Sequence, residues 1–238
     1  MSDMQSAYDG HGVAMIGDVV SSRTHPDRSG LQALLAEALE KVNRSGPVLQ
    51  PLHLTLGDEF QGIVSTLPAA VRLGIDVRLE LLPVEVRIGI GVGPFHIFDP
   101  VAAPVAQDGP AWWAARAAVD TAKALAGRPA GRHVRSWVQA LDADGSEPAR
   151  CSEAVAVVNA YLGLQDFLLS TMRPRQLRLL AATLSGEPQR EIAAREGITQ
   201  SAVSQAVQAS GARALIQSLD ALVATTGHST AAAPAISN

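Results

Sequence analysis

Residues 84–98 read VEVRIGIGVGPFHIF. Val84, Val86, Ile88, Ile90 and Val92 recur at every second position, the period of a β-strand, which sets all five on one face. Gly89, Gly91 and Gly93 fall on the other face, where they leave room for something to lie against the backbone. Working outward, LHLTLGDEFQGIV (52–64) alternates around Gly57-Asp58-Glu59 and predicts a β-hairpin whose turn carries two carboxylates. VAMIGDVV (13–20) predicts a buried strand ending near Asp18. Between these, GLQALLAEALEKVN (30–43) spaces Leu31, Leu34, Leu35, Ala38, Leu39 and Val42 at helical intervals. Residues 67–82 and the alanine-rich 111–126 predict two more helices, and HVRSWVQAL (133–141) a last strand.

The resulting order, β-α-β-β-α-β-α-β, reads as a ferredoxin-like antiparallel sheet with its helices on one face. From residue 142 onward the pattern is helical, with an amphipathic helix over 152–171 and several short ones within 173–225. The expected class is therefore α+β, a palm-like sheet domain over 1–148 followed by an all-α domain over 149–226. A disordered tail is expected over 227–238.

The 238 residues are 47% hydrophobic and 18% charged, which suits packed cores and excludes general disorder. No run of about 18 apolar residues predicts a membrane span. The polar N-terminus lacks the features of a secretory signal, so a soluble cytoplasmic protein is expected. The single cysteine, Cys151, excludes a disulfide framework and a cysteine-rich zinc site, and the six histidines show no metal-ligand spacing. The formal charge is −4, with 13 basic against 17 acidic groups over 1–150 and six arginines against four acids over 173–220. A small positive segment on an acidic body fits local contact with DNA.

That segment holds GEPQREIAAREGITQSAVSQAVQASG. QREIAARE predicts a short helix, Gly197 its end, and Thr199 the N-cap of the next. Ala202, Val203, Ala206 and Val207 form a buried stripe on that second helix. Gln200, Ser201, Ser204, Gln205 and Gln208 form a polar, uncharged face. Amide and hydroxyl groups of this kind reach base edges in the major groove, while neighbouring arginines, Arg175 and Arg190 among them, reach phosphates. The plainer alternative is a helical hairpin used for dimer packing. The segment resembles the helix-turn-helix modules of bacterial regulators, winged or sigma-factor-like, which implies double-stranded DNA as partner and adds Thr199 to the contact set.

In a βαββ sheet the first strand and the hairpin are neighbours, so Asp18, Asp58 and Glu59 converge. Carboxylates gathered at one strand edge repel one another unless a cation lies between them, and oxygen-only ligands favour Mg²⁺ or Mn²⁺, which commonly arrives with phosphates. The alternative is that these are independent turn residues. Arg23 follows in the loop where phosphates would lie.

Four stretches carry a family likeness. MIGDVVSSR resembles the first metal motif of class III nucleotide cyclases. LTLGDEFQGIV resembles their second metal hairpin and, equally, the GGDEF hairpin of diguanylate cyclases. VRIGIGVGPF is similar to the strand that follows. GPAWWAARAA is similar to the helix carrying a catalytic asparagine and arginine. The whole chain most resembles the SatD family. The resemblance implies a nucleotide ligand near Gly57, Gly89, Gly91 and Arg116, with Mg²⁺ or Mn²⁺ on Asp18, Asp58 and Glu59, and a homodimer. The departures weaken catalysis: Leu54 stands at the base-recognising lysine, Trp112 at the asparagine, and Leu56 at the first hairpin glycine, while Arg116 keeps the arginine. Of the adjacent Trp112 and Trp113, only one can face the core, and the other is expected at a dimer interface rather than stacked on a base. The expected function is a transcription regulator whose degenerate cyclase-like domain senses a nucleotide or second messenger. The alternatives are an active nucleotidyl cyclase with a DNA-binding tail and a purely structural DNA-bound dimer.

Overall fold

The computed structural model describes residues 9–22, 25–46, 48–55, 57–99, 106–148 and 152–224. Arg23, Leu56, Cys151 and the tail 227–238 lie outside them.

The described chain forms two compact units, meeting at Ser170 and Thr171. The first is a six-stranded sheet with helices. Its elements are β1 (Asp9–Val19), α1 (Arg28–Ser45), β2 (Val48–Leu54), β3 (Glu59–Val64), α2 (Leu67–Glu80), β4 (Val86–Asp99), β5 (Ala106–Asp108), α3 (Pro110–Ala126), β6 (Ser136–Ala140) and α4 (Ser152–Thr171). The strand order is β2-β3-β1-β4-β5 with antiparallel neighbours, but β6 runs parallel to β4, from Ile88↔Ser136 to Val92↔Ala140. The sheet is therefore mixed rather than antiparallel. The short strand β5, absent from the sequence reading, is too brief for its period to register.

The helices also lie on both faces of the sheet, not one. A Cβ on Gly74 of α2 would touch Ile88 and Met15, which places α2 on their face. A Cβ on Gly89 would fall 2.2 Å from the Ala115 carbonyl, and one on Gly91 2.0 Å from that of Ala111, both on α3. The glycine face of β4 thus admits this chain's own helix. Ala14, Ile16, Ile63, Phe95, Trp112, Ala115 and Val119 close the core beneath it. Each methylene taken from water there contributes about 0.8 kcal/mol, and the alanines and glycines let backbone meet backbone.

Helix α4 belongs to this first unit, so the expected boundary at 148/149 moves to 170/171. Its Asn159 side chain receives the Val138 N–H (2.8 Å) and donates to the Val138 carbonyl (2.9 Å). Its fully buried Asp166 accepts from the N–H groups of Arg135 (2.6 Å) and Ser136 (2.8 Å) and pairs with Arg78 of α2. These bonds satisfy the outer edge of β6, which would otherwise expose unpaired backbone groups. By length and composition, the 19-residue span Glu153–Thr171 is the one described helix long and apolar enough to cross a membrane.

The second unit holds α5 (Pro174–Leu184), α6 (Gln189–Glu196), α7 (Gln200–Ala209) and α8 (Ala212–Ala224). Leu179, Leu180, Ile192, Val203, Val207, Leu215 and Leu219 are among its buried residues.

Candidate functional site

Asp18, one residue from the end of β1, sits between Glu59 of β3 and Arg87 of β4 in cross-strand register. Directly paired residues share a face, so these three side chains emerge together on the α3 side of the sheet. Asp58 lies in the turn just before Glu59. Gly57 takes φ +84° there, a conformation glycine adopts without strain, and its carbonyl accepts from Gln32 of α1 at 2.6 Å. That bond fastens the turn to the helix.

The structure separates the three carboxylates by role. Glu59, read from sequence as a turn residue and metal ligand, opens β3 and is held by Arg116 of α3 in a bidentate pair, both contacts at 2.6 Å. That geometry is the strong form of the arginine–carboxylate interaction. It raises the Arg116 pKa above its ordinary value through hydrogen bonding to Glu59, against the opposing effect of burial. Asp18 is different. One oxygen meets Arg87 at only 3.5 Å, and the other, Oδ1, is buried with no hydrogen-bond partner. Burial pushes the Asp18 carboxyl above its ordinary value, Arg87 pulls it down, and the neighbouring Asp58 charge pushes it up again. Lys123 of α3 also lowers it.

A divalent cation, the group the family likeness implies, finds two donors at this end of the sheet. The unpartnered Asp18 Oδ1 and the adjacent Asp58 carboxylate suit one cation. Glu59 does not join them, because Arg116 takes both its oxygens. Among the described residues no group of three or more His, Cys, Asp or Glu side chains could hold a metal.

The ligand residues read from sequence divide likewise. Gly89 and Gly91 are buried under α3, so their role is helix packing, not approach of a ligand. Gly57 has open space around it, and Arg116 stands beside the carboxylates. Trp112 is 7% exposed, in the core, with its indole N–H unpartnered. Trp113 is half exposed and donates to Asp108 at 2.8 Å. Arg87 and Lys123 were missed. Arg87 could have been found, since it shares the glycine face of the strand, but nothing in the sequence says that Asp18 stands opposite. A separate recess of about 560 Å³ lies between α3, β6 and α4, beside Trp137, Gln139 and Asn159, and holds none of these residues.

In the second unit, Gly197 closes α6 in the left-handed region, φ +65°. Thr199 caps α7 by accepting from the Ala202 N–H at 3.1 Å. Gln200, Ser201, Gln205 and Gln208 are exposed, Ser204 is half-buried, and Val203 and Val207 point inward. The Thr199 hydroxyl is thus committed to the cap and to Ser201, 2.9 Å away. Arg175 and Arg178 face Glu196, at 3.6 and 2.9 Å. Arg195 meets Glu187 at 2.5 Å. Arg190 stands 3.7 Å from Glu191 with its side chain 74% exposed.

Among solved structures, the chain is similar to a double mutant of the guanylyl cyclase domain of the RhoGC fusion protein from the aquatic fungus Blastocladiella emersonii. The identity is 18% and the TM-score 0.40, over 48% of this chain and 76% of that one. It is also similar to a bacterial light-regulated adenylyl cyclase, at 13% identity and a TM-score of 0.40, over 51% of this chain and 43% of the other. A comparison with curated proteins gives no match. The SatD family model matches residues 12–223, which takes in both units from β1 to α8. The chain belongs to the SatD family.

Proposed function

We propose that this protein is a DNA-binding transcription regulator that responds to a nucleotide bound with Mg²⁺ or Mn²⁺ in its cyclase-like first unit. The observation that carries the DNA half is the outward face of α7. Gln200, Ser201, Gln205 and Gln208 stand exposed and uncharged on a helix whose other side is anchored by Val203 and Val207. Amides pair with adenine edges and hydroxyls with several bases. Arg190, exposed, and Arg175, shared with Glu196, supply cations for phosphates. Glu196 is also held by Arg178 at 2.9 Å, so Arg175, at 3.6 Å, can leave it for a phosphate without stranding the carboxylate.

The nucleotide half rests on Asp18 and Asp58 for the cation and Arg116 for phosphate. An enzyme is the lesser reading. Trp112, where cyclases carry an asparagine, is buried in the core and presents no group to a ribose or phosphate. Cyclisation needs oriented attack and charge stabilisation at phosphorus, and Arg116 alone does not supply both.

The reading includes a homodimer. Val157, Leu164 and Phe167 of α4 are 63%, 68% and 50% exposed along one side, and a stripe without charge is complementary to its own copy under a two-fold axis.

Fluorescence anisotropy with labelled fragments of the source genome tests the DNA half. Retention of specific fragments by the wild type, and at least tenfold weaker retention by Ser201→Ala/Gln205→Ala, is expected. Folded wild-type protein that retains no fragment over competitor DNA refutes it. Adding nucleoside triphosphates with Mn²⁺ tests the response: unchanged DNA affinity at saturating nucleotide refutes the coupling. Pyrophosphate release that Asp58→Asn abolishes would establish the enzyme instead.

A further inference from the structure

We infer that Arg87 is a resident counter-ion for Asp18, which a divalent cation must displace, and that the displaced guanidinium then binds the phosphates arriving with that cation. The inference rests on the cation reading of Asp18 and assigns a role to a residue outside the proposed ligand set.

Two arginine–carboxylate pairs stand side by side at this edge of the sheet, and they differ. Arg116 and Glu59 form a closed fork with both contacts at 2.6 Å. Arg87 and Asp18 are more deeply placed than Arg116, with side chains 15% and 26% exposed, yet they touch through a single contact of 3.5 Å. Asp18 Oδ1 and Arg87 Nε are both buried, and neither has a hydrogen-bond partner. A mature arginine–carboxylate pair closes both contacts to about 2.7–2.9 Å. Here the register fixes the two Cα atoms opposite each other on β1 and β4, and the pair still leaves half of each partner unused.

An unused buried acceptor beside an unused buried donor is costly in isolation. It is resolved when a third body enters between them. A divalent cation bound to Asp18 Oδ1 satisfies the acceptor. It also repels the guanidinium, whose charge is then no longer balanced by Asp18. The planar fork of arginine fits phosphate oxygens in the same bidentate way that it fits carboxylate. A polyphosphate bound to the incoming cation therefore supplies the partner that Arg87 loses. Arg116, the phosphate-binding group of the proposed site, must open its closed fork with Glu59 to reach a ligand, whereas Arg87 gives up a single contact of 3.5 Å. Arg87 is thus a binding residue with two partners in turn: it balances the Asp18 charge until a cation arrives, and it makes cation and phosphate binding mutually dependent.

The experiment titrates the full-length protein with Mn²⁺ alone, followed by electron paramagnetic resonance of free Mn²⁺, and then with tripolyphosphate in the presence of Mn²⁺, followed by calorimetry. Arg87→Gln should bind Mn²⁺ alone more tightly, about three- to tenfold, because the competing charge is gone, and should bind tripolyphosphate at least about tenfold more weakly. If Arg87→Gln fails to fold, as its melting curve reports, Arg87→Lys replaces it. That variant should keep wild-type Mn²⁺ affinity and lose tripolyphosphate affinity, because the charge remains and the fork does not. Mn²⁺ affinity that is unchanged or weaker in Arg87→Gln, or tripolyphosphate affinity unchanged in either variant, overturns the inference. Failure of the cation reading itself has a separate signature: Mn²⁺ binding that is absent in the wild type, or equal in the wild type and Asp18→Asn.

Discussion

Asn159 grips both backbone groups of Val138, accepting from its N–H at 2.8 Å and donating to its carbonyl at 2.9 Å. A side-chain amide thereby does for β6 what a neighbouring strand would do. The arrangement ties α4 to the sheet and satisfies the outer edge of β6 at Val138. Replacing Asn159 by Leu strands both backbone groups in a buried site, at about 1–3 kcal/mol each before relaxation. A loss of about 2–4 kcal/mol in urea unfolding is expected, with faster hydrogen exchange at Val138. A loss below about 1 kcal/mol would mean that the edge is closed by something other than this amide.

Asp166 is the second fastening. It has no exposed surface and gathers Arg78, two backbone N–H groups and the Ser136 hydroxyl. Asp166→Ala leaves Arg78, with a side chain 12% exposed, without its partner. Breaking a buried pair from one side costs about 3–5 kcal/mol. Differential scanning calorimetry should show the first unit melting earlier by several degrees, with the transition of the second unit unmoved. Two transitions that shift together would contradict the division at Ser170 and Thr171.

Asp18 makes a prediction about pH. Its folded pKa lies above the ordinary 3.8, burial being the largest cause. The native state therefore holds this proton more tightly than the unfolded chain. Stability falls as pH rises from the ordinary value through the raised one, then levels off. Asp18→Asn removes that dependence. In chelated buffer the variant should gain stability relative to wild type as pH rises across this window, and the difference should shrink as pH drops below 3.8. A gap that narrows with rising pH would make Arg87, not burial, the dominant influence.

Two glycines separate packing from conformation. Gly91→Ala sets a Cβ 2.0 Å from the Ala111 carbonyl and 2.3 Å from the Ala115 N–H nitrogen, so α3 must move off the sheet. Overpacking of this kind costs about 1–3 kcal/mol or more. Gly57→Ala meets no atom within 4 Å but keeps φ +84°, which costs about 1–2 kcal/mol for an L-residue. The first should disturb the near-ultraviolet signal of the adjacent Trp112. The second should leave it intact while lowering stability. Equal spectra for the two would mean that α3 does not rest on Gly91.

Much of this was legible in local pattern. The alternation at 84–92 set β4, helical spacing from Leu31 to Val42 set α1, and Gly197 with Thr199 set the turn between α6 and α7. Each is a short-range effect, since backbone period and cap chemistry depend on a few consecutive residues. The pairing of the hairpin with the first strand also followed, and it sets Asp18 opposite Glu59.

The partners were decided elsewhere. Asp18 and Arg87 are 69 positions apart, Glu59 and Arg116 57, Asn159 and Val138 21. No local period records which side chain stands across a register or what fills a bare glycine face. The amino-acid order alone established strands, helices, turn glycines and the carboxylates of one sheet edge. Only the packed structure turned Gly89 and Gly91 from ligand positions into a seat for α3, claimed Glu59 for Arg116, and left Asp18 half-paired. Those outcomes depend on long-range register and on backbone-to-backbone approach, and both exist only once the sheet has closed.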